Sequence, residues 1–321
     1  MKNLISTCVF VLIALCSGCS PAVPTQNVRP TTKPADSQVA RTDDKQDPTL
    51  QKQLEQIAAA AKGRVGVAAV VLETGASASL DPRGHYPMQS VYKLPIGMAV
   101  MQQVDAGKIK LDQKVGVTKD DYIGRAAHSP IRDKYPDGTE LNVTELMRWM
   151  LKESDGTASD VLMALAGGPS AIQAYLTELK ITDMIVLDTK KSFSQDPSLQ
   201  FRNWATPEAS VALLRALHER RGLSEPSQAL LLKMMAESTP GRRRLKGLLP
   251  PGTLVAHKTG TSGTREGVTA ATNDIGIVTL PNGHHLAIAV FVGDSPADQN
   301  TREDVIAKTA KAVWDHVTSK R

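Results

Sequence analysis

The stretch of sequence that decides the fold is RVGVAAVVLETGASASL, at residues 64–80. Two runs of small and β-branched apolar residues flank Thr74-Gly75, a pattern that predicts a β-hairpin near the start of the folded chain. Further strands are predicted much later, at residues 254–259, 274–280 and 286–292. Residues 85–225 read as mostly helical. The chain is therefore assigned to the α/β (α+β) class, with an antiparallel sheet built from both termini, flanked by helices, and an inserted all-helical subdomain.

Local signals mark where individual elements begin and end. Apolar residues recur at helical spacing from Val91 to Ala106. Asn142 followed by Glu145 predicts a capping box at the start of another helix. Pro281-Asn282-Gly283 predicts the turn of a second hairpin. Two more helices are predicted, at residues 50–61 and about 302–317.

Ser90-Val91-Tyr92-Lys93 is the first of three motifs that carry chemistry. Lys93 lies one helical turn after Ser90 on the same face, so its amine can reach the hydroxyl. A buried amine with a lowered pKa can take the proton of a serine and so make it a nucleophile. Helix N-terminal amides near Ser90 can stabilise negative charge. Taken alone, the motif also fits an ordinary N-capping serine.

Two further motifs follow at a distance. Lys258-Thr259-Gly260-Thr261 ends a predicted strand, where the lysine can reach a substrate carboxylate and the glycine permits close backbone approach. Ser154-Asp155-Gly156 follows the capped helix. Each also has a plain structural interpretation: a strand that ends in a glycine turn, and a helix C-terminus that ends in glycine.

In this order the three motifs resemble those of the class A β-lactamases and penicillin-binding proteins. Segments 228–231, 245–250 and 270–276 resemble the subgroup that includes the PER-type and Bacteroides-type extended-spectrum enzymes, so the likeness covers roughly residues 50–317. The resemblance implies a β-lactamase/transpeptidase-like fold, serine β-lactamase activity and a small-molecule β-lactam substrate.

The resemblance also implies a role for each motif. Ser90 would be the acylated nucleophile, Lys93 its proton acceptor and Ser154 the proton donor to the leaving nitrogen. The backbone amides of Ser90 and Thr261 would form the oxyanion hole. The implied substrate-binding residues are Lys258, Thr259, Gly260, Thr261, Gly156 and His128. Gly156 replaces an asparagine of the class A motif, and His128 takes the place of an aromatic wall residue.

A larger departure concerns the glutamate that activates the deacylating water in class A enzymes. Alignment with the subgroup places this position at Thr189 or Lys190, and no glutamate lies between Glu178 and Glu208. Asp188 is the candidate substitute base, and it equally fits a loop residue that makes turn hydrogen bonds. We expect acylation to persist and deacylation to be slow, because loss of a general base typically costs about 10²–10⁴-fold.

Two other functions share these features. A penicillin-binding DD-peptidase uses the same three motifs. A lipoprotein that binds β-lactams or wall peptides covalently, with little turnover, would need no deacylating glutamate. Rapid nitrocefin turnover would exclude the binding protein, whereas a stoichiometric burst would favour it.

The N-terminus predicts export. Lys2 precedes an apolar run at residues 4–15, which is too short for a membrane span and fits a signal peptide. Leu15-Cys16-Ser17-Gly18-Cys19 resembles a bacterial lipobox, in which Cys19 is lipidated and becomes the mature N-terminus. A simple cleaved secretory signal is the alternative.

The remaining chain divides into a tether and a catalytic domain. Residues 20–48 are rich in Pro, Thr, Gln, Asp and Lys, which predicts a flexible tether. Residues 49–321 form the predicted β-lactamase-like domain. We expect a monomer in the periplasm that contacts the membrane only through its N-terminal lipid anchor.

Composition and spacing argue against other partners. The formal net charge is +5, but the one tight basic run, Arg242-Arg243-Arg244, has no aromatic neighbours on which bases could stack. We interpret it as a solvated face and expect no nucleic acid. All three cysteines lie in the leader, so the domain has no disulfide. The seven histidines show no HxH or HExxH spacing, so no metal or cofactor is expected.

Overall fold

The computed structural model describes residues 47–319. The helices are α1 (Pro48–Ala59), α2 (Lys93–Asp105), α3 (Pro130–Lys134), α4 (Val143–Leu151), α5 (Gly156–Leu165), α6 (Gly168–Glu178), α7 (Lys190–Gln195), α8 (Pro207–His218), α9 (Glu225–Ala236) and α10 (Gln299–Ser319). The strands are β1 (Arg64–Val71), β2 (Ser77–Leu80), β3 (Tyr86–Pro87), β4 (Lys114–Val117), β5 (Thr139–Asn142), β6 (Met184–Ile185), β7 (Trp204–Ala205), β8 (Val255–Thr261), β9 (Thr264–Arg265), β10 (Val268–Thr279) and β11 (His285–Ser295). Short 3-10 helices span Gln89–Tyr92, Lys119–Asp121 and Pro197–Phe201.

The leader with Cys19 and nearly all of the predicted tether fall outside residues 47–319, so those predictions remain untested. Within the described range, no helix combines the length and the hydropathy that crossing a bilayer would require.

The main sheet takes its strands from both ends of the folded chain. Their order is β2-β1-β11-β10-β8, with β9 paired to β10, and every pairing is antiparallel. Arg64 at the start of β1 lies opposite Gly293 near the end of β11. The turn between β10 and β11 contains Gly283 at φ 83°, a conformation that glycine adopts without steric cost. The predicted α+β architecture is confirmed.

Both faces of this sheet are covered, which explains its continuous apolar strands. Along β11, Ile288 and Val290 pack on the side of α1 and α10, whereas Ala289 and Phe291 face the core of the helical subdomain. Because successive side chains point to opposite faces and both faces are buried, polar alternation is absent from the strand. The helical subdomain therefore rests directly on the inner face of the sheet.

Helix starts follow the sequence signals with one exception. The capping box is present: the Asn142 side chain accepts from Glu145 N at 2.8 Å, and the Glu145 carboxylate accepts from Asn142 N at 2.7 Å. The helix predicted to start at Val91 is divided, with a 3-10 helix to Tyr92 and α2 from Lys93. Gln89 has φ 48°, which turns the chain sharply just ahead of Ser90. Ser90 therefore lies inside the 3-10 turn and is not the N-cap of an α-helix.

Candidate active site

Ser90 lines a cavity of about 760 Å³ into which all three sequence motifs project. Lys93 and Ser154 line it as well, and strand β8 contributes Thr259 and Thr261. Lys258 precedes Thr259 in β8, and its side chain is completely buried. The structure thus brings together residues from the 3-10 turn, the α4–α5 connection and the end of β8.

Ser154 connects the two lysines of the motifs. Lys258 Nζ donates to Ser154 Oγ at 2.9 Å. Lys93 Nζ donates to Ser154 O at 2.6 Å and lies 3.5 Å from Ser154 Oγ. Ser154 has φ 58°, a left-handed conformation that costs about 1–3 kcal/mol for a residue with a side chain. The strained backbone turns the hydroxyl toward both amines, where it can pass a proton between them and a bound substrate.

Burial sets the protonation of these amines. Burial lowers the pKa of Lys258 to about 7. The carboxylate of Asp274 opposes this shift, and the guanidinium of Arg244 adds to it. Burial, together with the nearby ammonium of Lys258, holds the pKa of Lys93 well below its usual value. Near neutral pH a neutral amine is therefore available as a proton acceptor, which lysine at its ordinary pKa would not supply.

Gly260 allows β8 to approach the nucleophile segment. A β-carbon at Gly260 would lie 2.3 Å from Met88 O and 3.3 Å from Ser90 N, which is too close for any side chain. Because the backbones pack this tightly, Ser90 and Thr261 face the same cavity. Their backbone amides are the pair that, by the family resemblance, would form the oxyanion hole.

Arg244 is a buried residue whose guanidinium hydrogen-bonds to the end of β8. Its guanidinium donates to Gly260 O at 3.2 Å, Asn273 O at 2.9 Å and Thr261 Oγ1 at 2.7 Å, and pairs with Glu303 at 3.2 Å. Arg244 is 4% exposed, so the prediction that the basic run is a solvated face is wrong for this residue. Its partners come from β8, β10 and α10, which no local pattern around the arginines reveals.

Asp155 organises the loop that carries Ser154. Its buried carboxylate accepts from Ile131 N and Ala158 N, both at 2.8 Å, and from Ser129 Oγ at 3.1 Å. As the N-cap of α5 it ties the loop to two separate segments of the helical subdomain. The Ser154-Asp155-Gly156 motif placed Asp155 next to Ser154 but did not predict that its carboxylate anchors the loop.

Gly156 and His128 lie side by side at the rim. Gly156 N donates to His128 O at 3.1 Å, and His128 Nε2 lies 2.9 Å from Glu153 O. The exposed imidazole lines the cavity, at the place where the sequence analysis puts a wall residue. A β-carbon at Gly156 would lie 2.3 Å from Ile123 Cδ1, so a larger side chain there would require the Ile123 side chain to move.

At the position of the absent glutamate, Lys190 reaches the cavity and Thr189 does not. Thr189 is the N-cap of α7, whereas Lys190 and Ser194, one turn apart on that helix, both line the cavity. Asp160 accepts from the backbone N–H of Lys190 at 2.8 Å and of Lys191 at 2.7 Å. Asp160 is another residue that sequence reasoning missed. Its contacts fix the start of α7 and hence the direction of the Lys190 side chain.

The Lys190 ammonium has weak partners. Lys190 Nζ lies 3.4 Å from Gln89 Oε1 and 5.5 Å from the centroid of the Phe193 ring. Burial lowers its pKa, against the opposing influence of Asp160. A lysine with a lowered pKa therefore stands where the class A pattern places a carboxylate.

Asp188 is not brought to the reacting groups. Its carboxylate pairs with Arg202 Nε at 3.3 Å. Its backbone N–H donates to Asn203 Oδ1 at 3.0 Å, and its carbonyl accepts from Asn203 Nδ2 at 2.8 Å. It is absent from the described residues that line the cavity. These contacts fit the loop residue of the alternative interpretation, and the role of Asp188 as substitute base stays a prediction.

Basic side chains outnumber acidic ones in the lining of the cavity. Among the described residues that line it, the acidic side chain is that of Glu153, which accepts from Thr239 Oγ1 at 2.9 Å. The basic lining residues are Lys93, Arg125, Lys190 and Arg265. Such a site favours an anionic substrate and offers an attacking water no carboxylate base other than the engaged Glu153.

Comparison with known proteins agrees with this geometry. A model of the β-lactamase enzyme family matches residues 49–317. The extended-spectrum β-lactamase PER-1 of Pseudomonas aeruginosa is 40% identical over 84% of this chain and 87% of that protein. The β-lactamase VEB-1 of the same organism is 36% identical over 86% of this chain and 92% of that protein.

A solved structure agrees at the level of the fold. A class A β-lactamase from Bacteroides cellulosilyticus superimposes with a TM-score of 0.78 at 32% identity, covering 84% of this chain and 99% of that one. These similarities favour neither the DD-peptidase nor the binding lipoprotein. The chain belongs to the β-lactamase enzyme family, in its class A branch.

Proposed function

We propose that the protein is a serine β-lactamase that forms its acyl-enzyme on Ser90 and hydrolyses that intermediate slowly. The observation that carries the proposal is the Ser154 hydroxyl, placed 2.9 Å from Lys258 Nζ and 3.5 Å from Lys93 Nζ beside the nucleophile. This arrangement can move a proton from the nucleophile to a leaving nitrogen without a histidine.

In the acylation step, the neutral amine of Lys93 accepts the Ser90 proton as Ser90 Oγ attacks the lactam carbonyl carbon. The amides of Ser90 and Thr261 stabilise the oxyanion, a contribution of about 3 kcal/mol per donor in comparable sites. The carbon–nitrogen bond then breaks. The nitrogen takes the Ser154 hydroxyl proton, and the Lys93 ammonium returns one to Ser154, so that the proton count balances. Lys258 and Thr259 bind the substrate carboxylate.

Deacylation requires a base that accepts a proton from the attacking water, and the lining of the cavity offers few groups that could be this base. Lys190 replaces the carboxylate of the class A pattern, and only the unprotonated fraction of its amine could accept a proton from water. Asp188 is engaged by Arg202. We therefore expect the acyl ester on Ser90 to persist much longer than the time needed to form it.

Stopped-flow nitrocefin hydrolysis with intact-mass spectrometry tests the proposal. The expected result is a burst of about one product per chain, then a slow steady rate, with an acyl adduct on the protein. Ser90→Ala should lose burst and adduct, whereas Ser194→Ala, which alters another serine of the same cavity, should keep both. Fast turnover without a burst would contradict slow deacylation, and absence of an adduct would contradict acylation of Ser90.

We further propose that the enzyme is a monomer held at the membrane by a lipid on Cys19. The lipobox-like Leu15–Cys19 stretch and the apolar run before it support this. Cells fed radiolabelled palmitate should label the protein. Cys19→Ala should abolish labelling and release the protein into the soluble fraction, and Cys8→Ala should leave it labelled. Labelling that survives in Cys19→Ala would refute the anchor, and light scattering of the purified protein would test the monomer.

A further inference from the structure

Glu73, His218 and His285 converge on the protein surface from three separate elements. Glu73 lies in the turn after β1, His218 is the last residue of α8, and His285 is the first residue of β11. None of them belongs to the described lining of the catalytic cavity. The mechanism above leaves all three unused.

Their ligand atoms are spaced as a small cation requires. His285 Nδ1 lies 2.7 Å from Glu73 Oε1, and His218 Nε2 lies 3.8 Å from the same oxygen. All three ligand atoms lie within 4.8 Å of one another. Tetrahedral zinc with bonds of about 2.0–2.1 Å holds its ligand atoms about 3.3 Å apart. The observed separations bracket this value, so small side-chain rotations would suffice.

The backbone around the cluster is well anchored. Leu72 N donates to His285 O at 2.8 Å, and His285 N donates to Glu73 Oε2 at 2.8 Å, which joins the two strand ends. Gln228 Nε2 donates to His218 O at 2.6 Å and holds the end of α8. A cluster presented by a fixed backbone needs little reorganisation on binding.

The local charge also favours a cation. The Glu73 carboxylate accepts two hydrogen bonds from His285 and so carries the negative charge. The carboxyl end of α8, where His218 lies, adds the partial negative charge of the helix dipole. Arg215, the nearest basic side chain on that helix, is paired with Glu219 at 3.4 Å.

We propose that Glu73, His218 and His285 bind a divalent cation of the zinc type, outside the catalytic cavity. Two imidazole nitrogens and one carboxylate oxygen form a ligand set suited to zinc, with a fourth position left for water. On binding, the cation displaces the proton that His285 Nδ1 shares with Glu73, and that proton leaves to solvent. The cation would clamp α8 to the ends of β1 and β11.

Cobalt(II) titration of the tag-free protein tests this proposal, with every cysteine that it retains alkylated so that none can bind the metal. We expect about one equivalent to give a visible ligand-field band that zinc(II) displaces. His218→Ala and His285→Ala should each weaken binding at least about 100-fold, more than the loss of an outer-shell partner costs. His284→Ala, which alters the adjacent half-buried histidine outside the cluster, should bind normally.

Thermal unfolding gives a second readout. Zinc at 100 times its Kd should raise the Tm by about 5 °C or more in the unaltered protein and in His284→Ala, and by far less in His218→Ala. No cobalt band, a band that persists in both His218→Ala and His285→Ala, or an equal Tm rise in His218→Ala would overturn the proposal. These outcomes do not depend on whether Ser90 is acylated.

Discussion

Lys190 packs directly over Gly156: a β-carbon added to the glycine would lie 3.0 Å from Lys190 Cγ. The two departures from the class A pattern, glycine for asparagine and lysine for glutamate, are therefore neighbours in space. The long lysine stem occupies room that a side chain at Gly156 would need. The two departures therefore compete for the same space.

Restoring a carboxylate should restore deacylation. Lys190→Glu places an acceptor where the deacylating water needs a base, so we expect the steady-state nitrocefin rate after the burst to rise by about 10²-fold or more. Lys191→Glu makes the same charge change one residue along and should leave the rate nearly unchanged. Equal rates in both variants would show that another group limits deacylation.

Filling Gly156 should destabilise the domain. Gly156→Asn forces its side chain against Ile123 and Lys190, and overpacking of this kind costs about 1–3 kcal/mol in unfolding free energy. Urea denaturation should show the loss. Adding Ile123→Ala should recover part of it by opening space, whereas Gly116→Asn, at a position with no atom near its β-carbon, should have little effect.

The pH profile of acylation should depend on Lys258. The Lys258 ammonium holds the pKa of Lys93 down, so removing it raises that pKa and protonates Lys93 at higher pH. In Lys258→Ala the acid limb of the burst rate should therefore move to higher pH, besides any general loss of rate. Lys246→Ala, at a lysine away from the cavity lining, should leave the limb in place. If the acid limb does not move in Lys258→Ala, the charge of Lys258 does not influence the pKa of Lys93.

Removing Arg244 should destabilise the protein far more than removing its neighbour. Arg244→Ala removes the 3.2 Å ion pair of the buried Glu303 carboxylate and leaves it only longer contacts, with Gln299 Nε2 at 3.4 Å and Arg243 Nε at 4.0 Å, a loss that costs up to about 3–5 kcal/mol. Arg243 is exposed, and Arg243→Ala should change the unfolding free energy by less than about 1 kcal/mol. Similar urea midpoints for the two variants would contradict the structural role of Arg244.

Local sequence patterns predicted the sheet strands, the Asn142 capping box and the Gly283 turn, because each depends on neighbours along the chain. The motifs likewise indicated Ser90, Lys93 and Lys258. Arg244 and Asp160 escaped prediction, since their partners lie in distant segments and nothing beside them in the sequence signals burial. Asp188 was a candidate because it lies close in sequence to the expected base position, whereas its ion pair with Arg202 depends on the fold of the loop.

The pairing of Arg64 with Gly293 has a consequence for how the chain acquires its structure. β1 is synthesised long before its partner β11, because most of the folded domain lies between them in the sequence. The central sheet cannot close until nearly the whole polypeptide is available, which makes contact order high and folding slow. Until then β1 presents an unpaired apolar edge that is prone to aggregation. A truncation that removes β11 would deprive the sheet of its central strand, so a late strand decides whether an early one is paired.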